Sequence, residues 1–191
     1  MNAGDVTQFE WVAPLYDHLT PDLDASTLEN ALALADRPIE RVLDVGGGTG
    51  RAARAIDADQ RIVADPALGM LAQARKHDTE AIRADGTSLP IKDDSVDAVL
   101  VVDALHHVAD QLGILRDAHR VLRPGGVLVV VDFDPTTLRG RLLAAAEHLV
   151  GFDSTFHPPG HRRDDMERIG FDTTITDRGF TYAIAGTTPS E

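Results

Sequence analysis

The chain has 191 residues, with 18 Lys plus Arg against 31 Asp plus Glu, for a formal charge of −13. That length suits one domain, and a hydrophobic content of 43% is too high for a disordered chain. No apolar run approaches the roughly 18 residues that a membrane span needs, and the absence of cysteine excludes disulfides, thiolate metal sites and cysteine nucleophiles.

Short apolar runs alternate with helical patterns along the chain, the signature of a parallel sheet covered by helices on both faces. Phe9 to Ala35 reads as helical, broken at Pro14 and Pro21. Arg41 to Val45 reads as a first strand, followed by a glycine turn and a helix from about Thr49 to Ile56. Arg61 to Ala64 is a second strand, Ala67 to His77 a helix, Ala81 to Ala84 a third strand and Ser95 to Val102 a fourth. Asp110 to Leu122 places Leu112, Leu115, Ala118, Val121 and Leu122 at helical spacing, and Pro124-Gly125-Gly126 stops it. Val127 to Val131 is apolar throughout and therefore a central strand. Leu138 to Val150 is the next helix, started by Asp134-Pro135-Thr136. After a loop at Phe156 to Gly160 come a short helix, Arg162 to Ile169, and two strands, Phe171 to Thr176 and Phe180 to Gly186. Only three residues separate those strands, too few for a crossover, so they form an antiparallel hairpin.

The turn Asp44-Val45-Gly46-Gly47-Gly48-Thr49-Gly50 joins a strand to a helix, and its glycines let backbone approach a ligand closely. A dinucleotide site spaces its glycines G-x-G-x-x-G. Here Gly46, Gly48 and Gly50 give G-x-G-x-G, and the next position is Arg51. Asp44 would repel a pyrophosphate but favour an ammonium or sulfonium. Asp65 ends the second strand 19 residues after Gly46, placed to accept hydrogen bonds from two ribose hydroxyls. Either Asp alone could be a helix cap or turn residue; both together, flanking the glycines, point to a cationic nucleoside.

The segments Val42 to Arg51, Val63 to Leu71, Ala84 to Val108 and Arg120 to Phe133 together resemble class I S-adenosylmethionine-dependent methyltransferases, of the small-molecule group that includes the ubiquinone/menaquinone-biosynthesis type. Phe9, Tyr16 and Asp17 resemble that group's leading helix. The resemblance implies a Rossmann-like three-layer α/β sandwich, its seven strands ordered 3-2-1-4-5-7-6 with strand 7 antiparallel. It implies one domain over residues 1–191, with 1–38 as a helical lid and 39–191 as the core. Carried over residue by residue, Asp44 and the backbone of Gly46, Gly48 and Gly50 would face the methionine part of the cofactor. Asp65 would hold the ribose, with Pro66 and Met70 along the adenosine. Asp85 would meet the adenine amino group and Gly86 the ring. Tyr16 would close over the cofactor, and Asp103 would border the methyl group.

Methyl transfer from a sulfonium is an in-line displacement, and a base is needed only where the nucleophile must lose a proton. His106 and His107, after the fourth strand, are the candidate catalytic residues, although one of a consecutive pair must face away. His148, His157 and His161 read as plain loop and helix residues rather than metal ligands, so no metal is expected. Phe152, Phe156 and His157 could pack on an apolar acceptor. The adenine-methylase Asn/Asp-Pro-Pro-aromatic pattern is replaced here by Asp103-Ala104-Leu105-His106, and cytosine chemistry lacks its cysteine. That leaves transfer to O, N or C of a small molecule, with S-adenosylhomocysteine as product. The alternatives are a binding module without turnover and a nicotinamide oxidoreductase, the latter opposed by the glycine spacing. No large insertion provides a substrate cap, so the acceptor is bulky and partly exposed or a second subunit in a homodimer completes the pocket.

The charge has a biased make-up: 24 Asp against 7 Glu, and 16 Arg against only Lys76 and Lys92. Dense carboxylates keep a surface hydrated at high salt, and the composition reads as adaptation to it. So negative a field opposes nucleic-acid phosphates but not a cationic ligand. With neither a span nor a secretory signal at Met1 to Glu10, the expectation is a cytoplasmic protein with no membrane partner.

Overall fold

The computed structural model describes residues 6–7, 9–10, 13, 16–19 and 24–190. Its elements are α1 (Tyr16–Leu19), α2 (Ala25–Leu32), β1 (Arg41–Val45), α3 (Arg51–Arg54), β2 (Gln60–Asp65), α4 (Leu68–Ala74), β3 (Glu80–Arg83), β4 (Val96–Val102), α5 (Gln111–Val121), β5 (Leu122–Phe133), α6 (Leu138–Val150), α7 (Pro159–Ile169), β6 (Asp172–Arg178) and β7 (Thr181–Thr187). A single 3₁₀ turn, Leu105–His107, follows β4. The breaks expected at Pro14 and Pro21 lie outside the described residues.

The strands form one sheet in the order β3-β2-β1-β4-β5-β7-β6. β7 runs antiparallel to both neighbours and the remaining pairs are parallel. This is the α/β architecture that the resemblance implied. Alternation along β5 shows how the layers form: Leu128 and Val130 enter one apolar cluster, Val127, Val129 and Val131 the other. The first cluster is closed by Ile114, Leu115, Ala118 and Val121 of α5 and Met166 of α7, the second by Leu28, Ala31 and Leu32 of α2. Strands buried on both faces must be apolar at every position, hence the continuous runs in the sequence.

Element ends differ from the expectation for local reasons. α3 covers four residues because Gly50 enters it in the left-handed region (φ 80°) and Ala55 and Ile56 bond back to Ala52 and Ala53, three residues away, tightening the turn. α4 ends in the same way, with Lys76 and His77 bonded to Gln73 and Ala74. β5 begins at Leu122, five residues before Val127, since Leu122 pairs with Val96 across a bulge and Pro124-Gly125-Gly126 end α5 without leaving the sheet. α7 starts at Pro159, where a proline costs no hydrogen bond. The cap of α6 is Thr137, one residue past the expected Thr136; its Oγ1 accepts from the Gly140 amide at 3.0 Å.

Asp97 ties the amino-terminal edge of the sheet together. Its buried carboxylate accepts from the Glu40 and Arg41 amides at 3.1 and 2.9 Å and pairs with Arg37 and Arg123 at 2.8 Å. Burial opposes its charge, but these donors hold the carboxyl below its usual range. The opposite, carboxyl-terminal edge of the strands carries the site.

Candidate functional site

The glycine turn after β1 is held by contact from below and behind. Gly46 (φ 67°) and Gly48 (φ 56°) occupy the left-handed region that side chains disfavour. A Cβ on Gly47 would lie 2.4 Å from Cγ of Asp44, and one on Gly46 would lie 2.8 Å from Cβ of Ala104. The turn is thus a backbone floor with no side chain above it. Asp65, at the end of β2, fixes that floor by accepting from the Gly48 amide at 3.0 Å, and its other oxygen takes the Ala67 amide at 2.8 Å.

Asp44 is fully buried. Its Oδ2 accepts from the Ala53 amide at 3.2 Å, while Oδ1 has no hydrogen-bond partner. Burial pushes its carboxyl up to about 7, against the stabilising Ala53 bond. A buried, half-satisfied carboxylate is costly and marks a place where a cationic group fits.

Two cavities meet over the turn. The first, about 560 Å³, is lined by Phe9, Tyr16, Asp44, Gly46, Gly47, Gly48, Thr49, Arg51, Asp65, Met70, Asp103 and His107, among others. The second, about 480 Å³, is lined by Pro66, Asp85 and Gly86 with the apolar Val45, Val108 and Ile114. Gly46 and Ala104 line both, so they form one cleft across the carboxyl ends of β1, β2 and β4. A Cβ on Gly86 would strike Val45 at 2.8 Å and Ile114 at 3.0 Å. Asp85 is exposed at the rim and accepts from the Thr87 amide at 3.0 Å and its hydroxyl at 2.9 Å, which keeps its pKa low.

Over the first cavity lies the described part of the N-terminal region. Asp17 pairs with Arg54 at 3.0 Å and accepts from the Thr49 hydroxyl. Arg51 sits 5.9 Å from the Tyr16 ring centroid. Burial, with Asp103 adding to it, pushes the Tyr16 phenol up to about 12, so it stays neutral.

Consecutive residues of a 3₁₀ turn point about 120° apart, and the two histidines divide accordingly. His107 faces the cavity, its Nδ1 3.2 Å from Ser154 Oγ and its ring 5.1 Å from both Phe9 and Phe152. Burial, followed by the charge of His106, drives its pKa down to about 3. His106 lines neither cavity. Its Nδ1 lies 2.7 Å from Asp132 Oδ1, its Nε2 3.8 Å from Glu147, and its ring is stacked on Phe156 at 4.4 Å. Burial opposes its charge, but Asp132, Asp103 and Glu147 outweigh it and raise its pKa to about 9.

The structure therefore brings Tyr16, Asp44, Gly46, Gly48, Asp65, Met70, Asp103 and His107 to one cavity, and Pro66, Asp85 and Gly86 to its neighbour. Gly50 lines neither; a Cβ there would meet Val63 at 3.1 Å, so it serves helix–strand packing. Asp132, Glu147 and the buried Arg162 escaped the sequence reading. The Asp132 carboxylate at the end of an otherwise apolar strand was the available signal. His157 and His161 stack at 4.3 Å on a separate surface with Asp165 and Arg168.

The methyltransferase domain family matches residues 43–130, from β1 into β5. A solved S-adenosylmethionine-dependent methyltransferase of Thermotoga maritima, described as a possible histamine N-methyltransferase, superposes with a TM-score of 0.77 at 25% identity, covering 94% of this chain and 97% of that one. Residues 43–130 match the methyltransferase domain family, and the chain has the fold of S-adenosylmethionine-dependent methyltransferases.

Among curated methyltransferases, the demethylmenaquinone methyltransferase of Mycobacterium sp. (strain KMS) is 36% identical over 124 residues, 64% of this chain and 54% of that protein. The ubiquinone/menaquinone biosynthesis C-methyltransferase of Coxiella burnetii (strain Dugway 5J108-111) is 32% identical over 112 residues, 52% of this chain and 45% of that one. The chain spans about half the length of the curated relatives it matches. Its cleft fits the family's cofactor on its own evidence: a floor without Cβ atoms, and an unpartnered buried oxygen on Asp44 beside it.

Proposed function

We propose that this chain transfers a methyl group from S-adenosylmethionine to a small acceptor of planar aromatic, quinol-like type. The observation that carries the reading is the continuous cleft over Gly46 and Ala104, with carboxylates at both ends of a backbone floor. In this reading Asp44 receives the ammonium and Asp65 the ribose hydroxyls, while Met70 and Pro66 pack along the nucleoside. Asp85 and the Gly86 backbone meet the adenine at the second cavity. Bound there, the cofactor supplies a methyl carried on a sulfonium. Residues 1–38 act as a lid, supported by the Asp17–Arg54 pair and by Tyr16 on the cavity wall.

The acceptor side is bordered by His107 and Asp103, with Phe9 and Phe152 packed on His107. Those rings offer a flat apolar wall, which supports an aromatic acceptor. A base works best with a pKa near the working pH. At about 3, His107 is too weak a base to hold a proton, and His106 is committed as an imidazolium to Asp132. Asp103, pushed up to about 6 by burial with His106 opposing, is the better-matched proton acceptor. The acidic composition supports a high-salt working environment, and the reading needs no carrier for the protein beyond its small-molecule acceptor.

Calorimetry with S-adenosylmethionine, S-adenosylhomocysteine and NADH, followed by S-adenosylhomocysteine release with a panel of phenols and quinols, tests this. Binding of both sulfur nucleosides with turnover on the panel is expected. Binding without turnover on any acceptor would leave a binding module, and preference for NADH would overturn the cofactor assignment.

A further inference from the structure

Arg162, on α7, is among the largest side chains that the fold buries completely, at 0% exposure. Its charge is met loosely: Asp165 Oδ2 lies 3.5 Å from Nη1, and Nε has no hydrogen-bond partner. An interior charge so placed costs stability. What it holds is an amide. Nη2 donates to Oε1 of Gln111, the first residue of α5 and itself buried. The two ends of an amide are nearly alike in shape, so a lone glutamine can face either way. A guanidinium carries donors and no acceptor. Arg162 therefore takes the oxygen end and leaves the nitrogen end for the Thr155 carbonyl, which accepts from Nε2 at 2.8 Å.

Thr155 belongs to residues 152–158, a stretch with neither helix nor strand. That stretch supplies groups packed on the two histidines: Phe152 and Ser154 on His107, and Phe156 on His106. The Thr155 side chain is exposed, so its hold is through the backbone. Its amide donates to the His106 carbonyl at 2.7 Å, and its carbonyl takes the Gln111 bond. Two residues on, the Tyr182 hydroxyl donates to the His157 carbonyl at 3.2 Å. An irregular segment has no ladder of its own, so its position depends on bonds of this kind.

We propose that Gln111 and Arg162 are positioning residues for the acceptor: Arg162 orients the Gln111 amide, and Gln111 latches the Thr155 carbonyl so that residues 152–156 stand as a wall beside His107. Neither residue lines either cavity of the cleft, so both act through the segment alone. The latch is independent of the chemistry, whereas its effect on the acceptor rests on the proposed reaction.

Gln111→Glu and Gln111→Met in the full chain test it. Both remove the donor to Thr155. The first keeps an oxygen for Arg162; the second keeps the shape alone and carries the test if the first unfolds the chain. Amide hydrogen exchange followed by NMR needs no acceptor. The expected result is exchange at Thr155 faster by about tenfold or more in either variant, with the amides of β4 and β5 as protected as in the parent. With the best phenol or quinol of the panel, KM for the acceptor should rise by about fivefold or more while KM for S-adenosylmethionine stays parental. Parental exchange at Thr155, or acceleration shared by β4 and β5, overturns the latch. Parental acceptor KM alongside faster exchange overturns its role at the acceptor, as does a matching rise in both KM values. A parent chain without turnover on any acceptor overturns the proposed reaction and with it the acceptor's part of this inference, while exchange at Thr155 still decides the latch.

Discussion

Asp44 works against the fold while it serves the site. Its carboxyl titrates at about 7 in the folded chain, well above an ordinary aspartate, because burial outweighs the Ala53 hydrogen bond. A raised folded pKa means that the ionised form opposes folding, with a penalty that grows from about pH 4 and is complete above about pH 7. Asp44→Asn should therefore stabilise the ligand-free protein by about 1–3 kcal/mol at pH 8 and by about a third of that at pH 5, read from urea unfolding at both pH values. The same variant should bind S-adenosylmethionine more weakly, and parental affinity should fall as pH drops through 7. Equal stability of the two proteins at pH 8 would show that the buried charge is compensated. His106 carries the opposite sign. Its folded pKa of about 9 lies above the unfolded value, so its stabilisation is complete below about pH 6.5 and is lost as pH rises through 9. Asp132→Asn removes the partner at 2.7 Å and should cost about 3–5 kcal/mol at pH 7, while flattening the decline in melting temperature between pH 7 and 10. A parental pH slope retained in the variant would assign that decline to other groups.

At the scale of elements, the sheet was readable because its central strands are buried on both faces and are mostly apolar along their length, as Val127 to Val131 is. Helix ends were less readable, since the last turns of α3 and α4 tighten through bonds that sequence periodicity does not encode. The glycine turn was legible for a physical reason: Gly46, Gly47 and Gly48 each need either a left-handed backbone or the space a Cβ would take. The cluster of His106, Asp132 and Glu147 was not, because its members come from the turn after β4, the end of β5 and the middle of α6, and only the folded sheet brings them together. Asp97 belongs to the same class. Within β4 it looks like a flaw in an apolar strand, yet it receives two backbone amides and two arginines from three other segments. Asp97→Ala should cost about 3 kcal/mol by urea unfolding, with S-adenosylmethionine affinity little changed because the carboxylate lies at the sheet edge away from the cleft. A loss below about 0.5 kcal/mol would mean that water replaces the carboxylate at all four donors.

Over the whole molecule, a charge of −13 produces a field that acts on folding and binding with opposite signs of salt dependence. Repulsion among the surface carboxylates opposes the compact state, and added ions screen it; the Debye length shrinks from about 10 Å at 0.1 M to about 3 Å at 1 M. Exposed ion pairs such as Asp57 with Arg61, 3.9 Å apart, weaken under the same screening, but each contributes little. Repulsion should therefore dominate, and the melting temperature should rise by about 5 °C or more between 0.1 and 2 M NaCl, each kcal/mol corresponding to about 2–4 °C in a chain of this size. The association rate of a cationic nucleoside depends on the attraction of that same field, so it should fall over the same salt series. The two readouts separate a field effect from a salting-out effect, because excluded salts would raise the melting temperature without slowing association. A melting temperature indifferent to salt would remove the high-salt reading of the composition, since that reading requires the native state to be limited by its own charge.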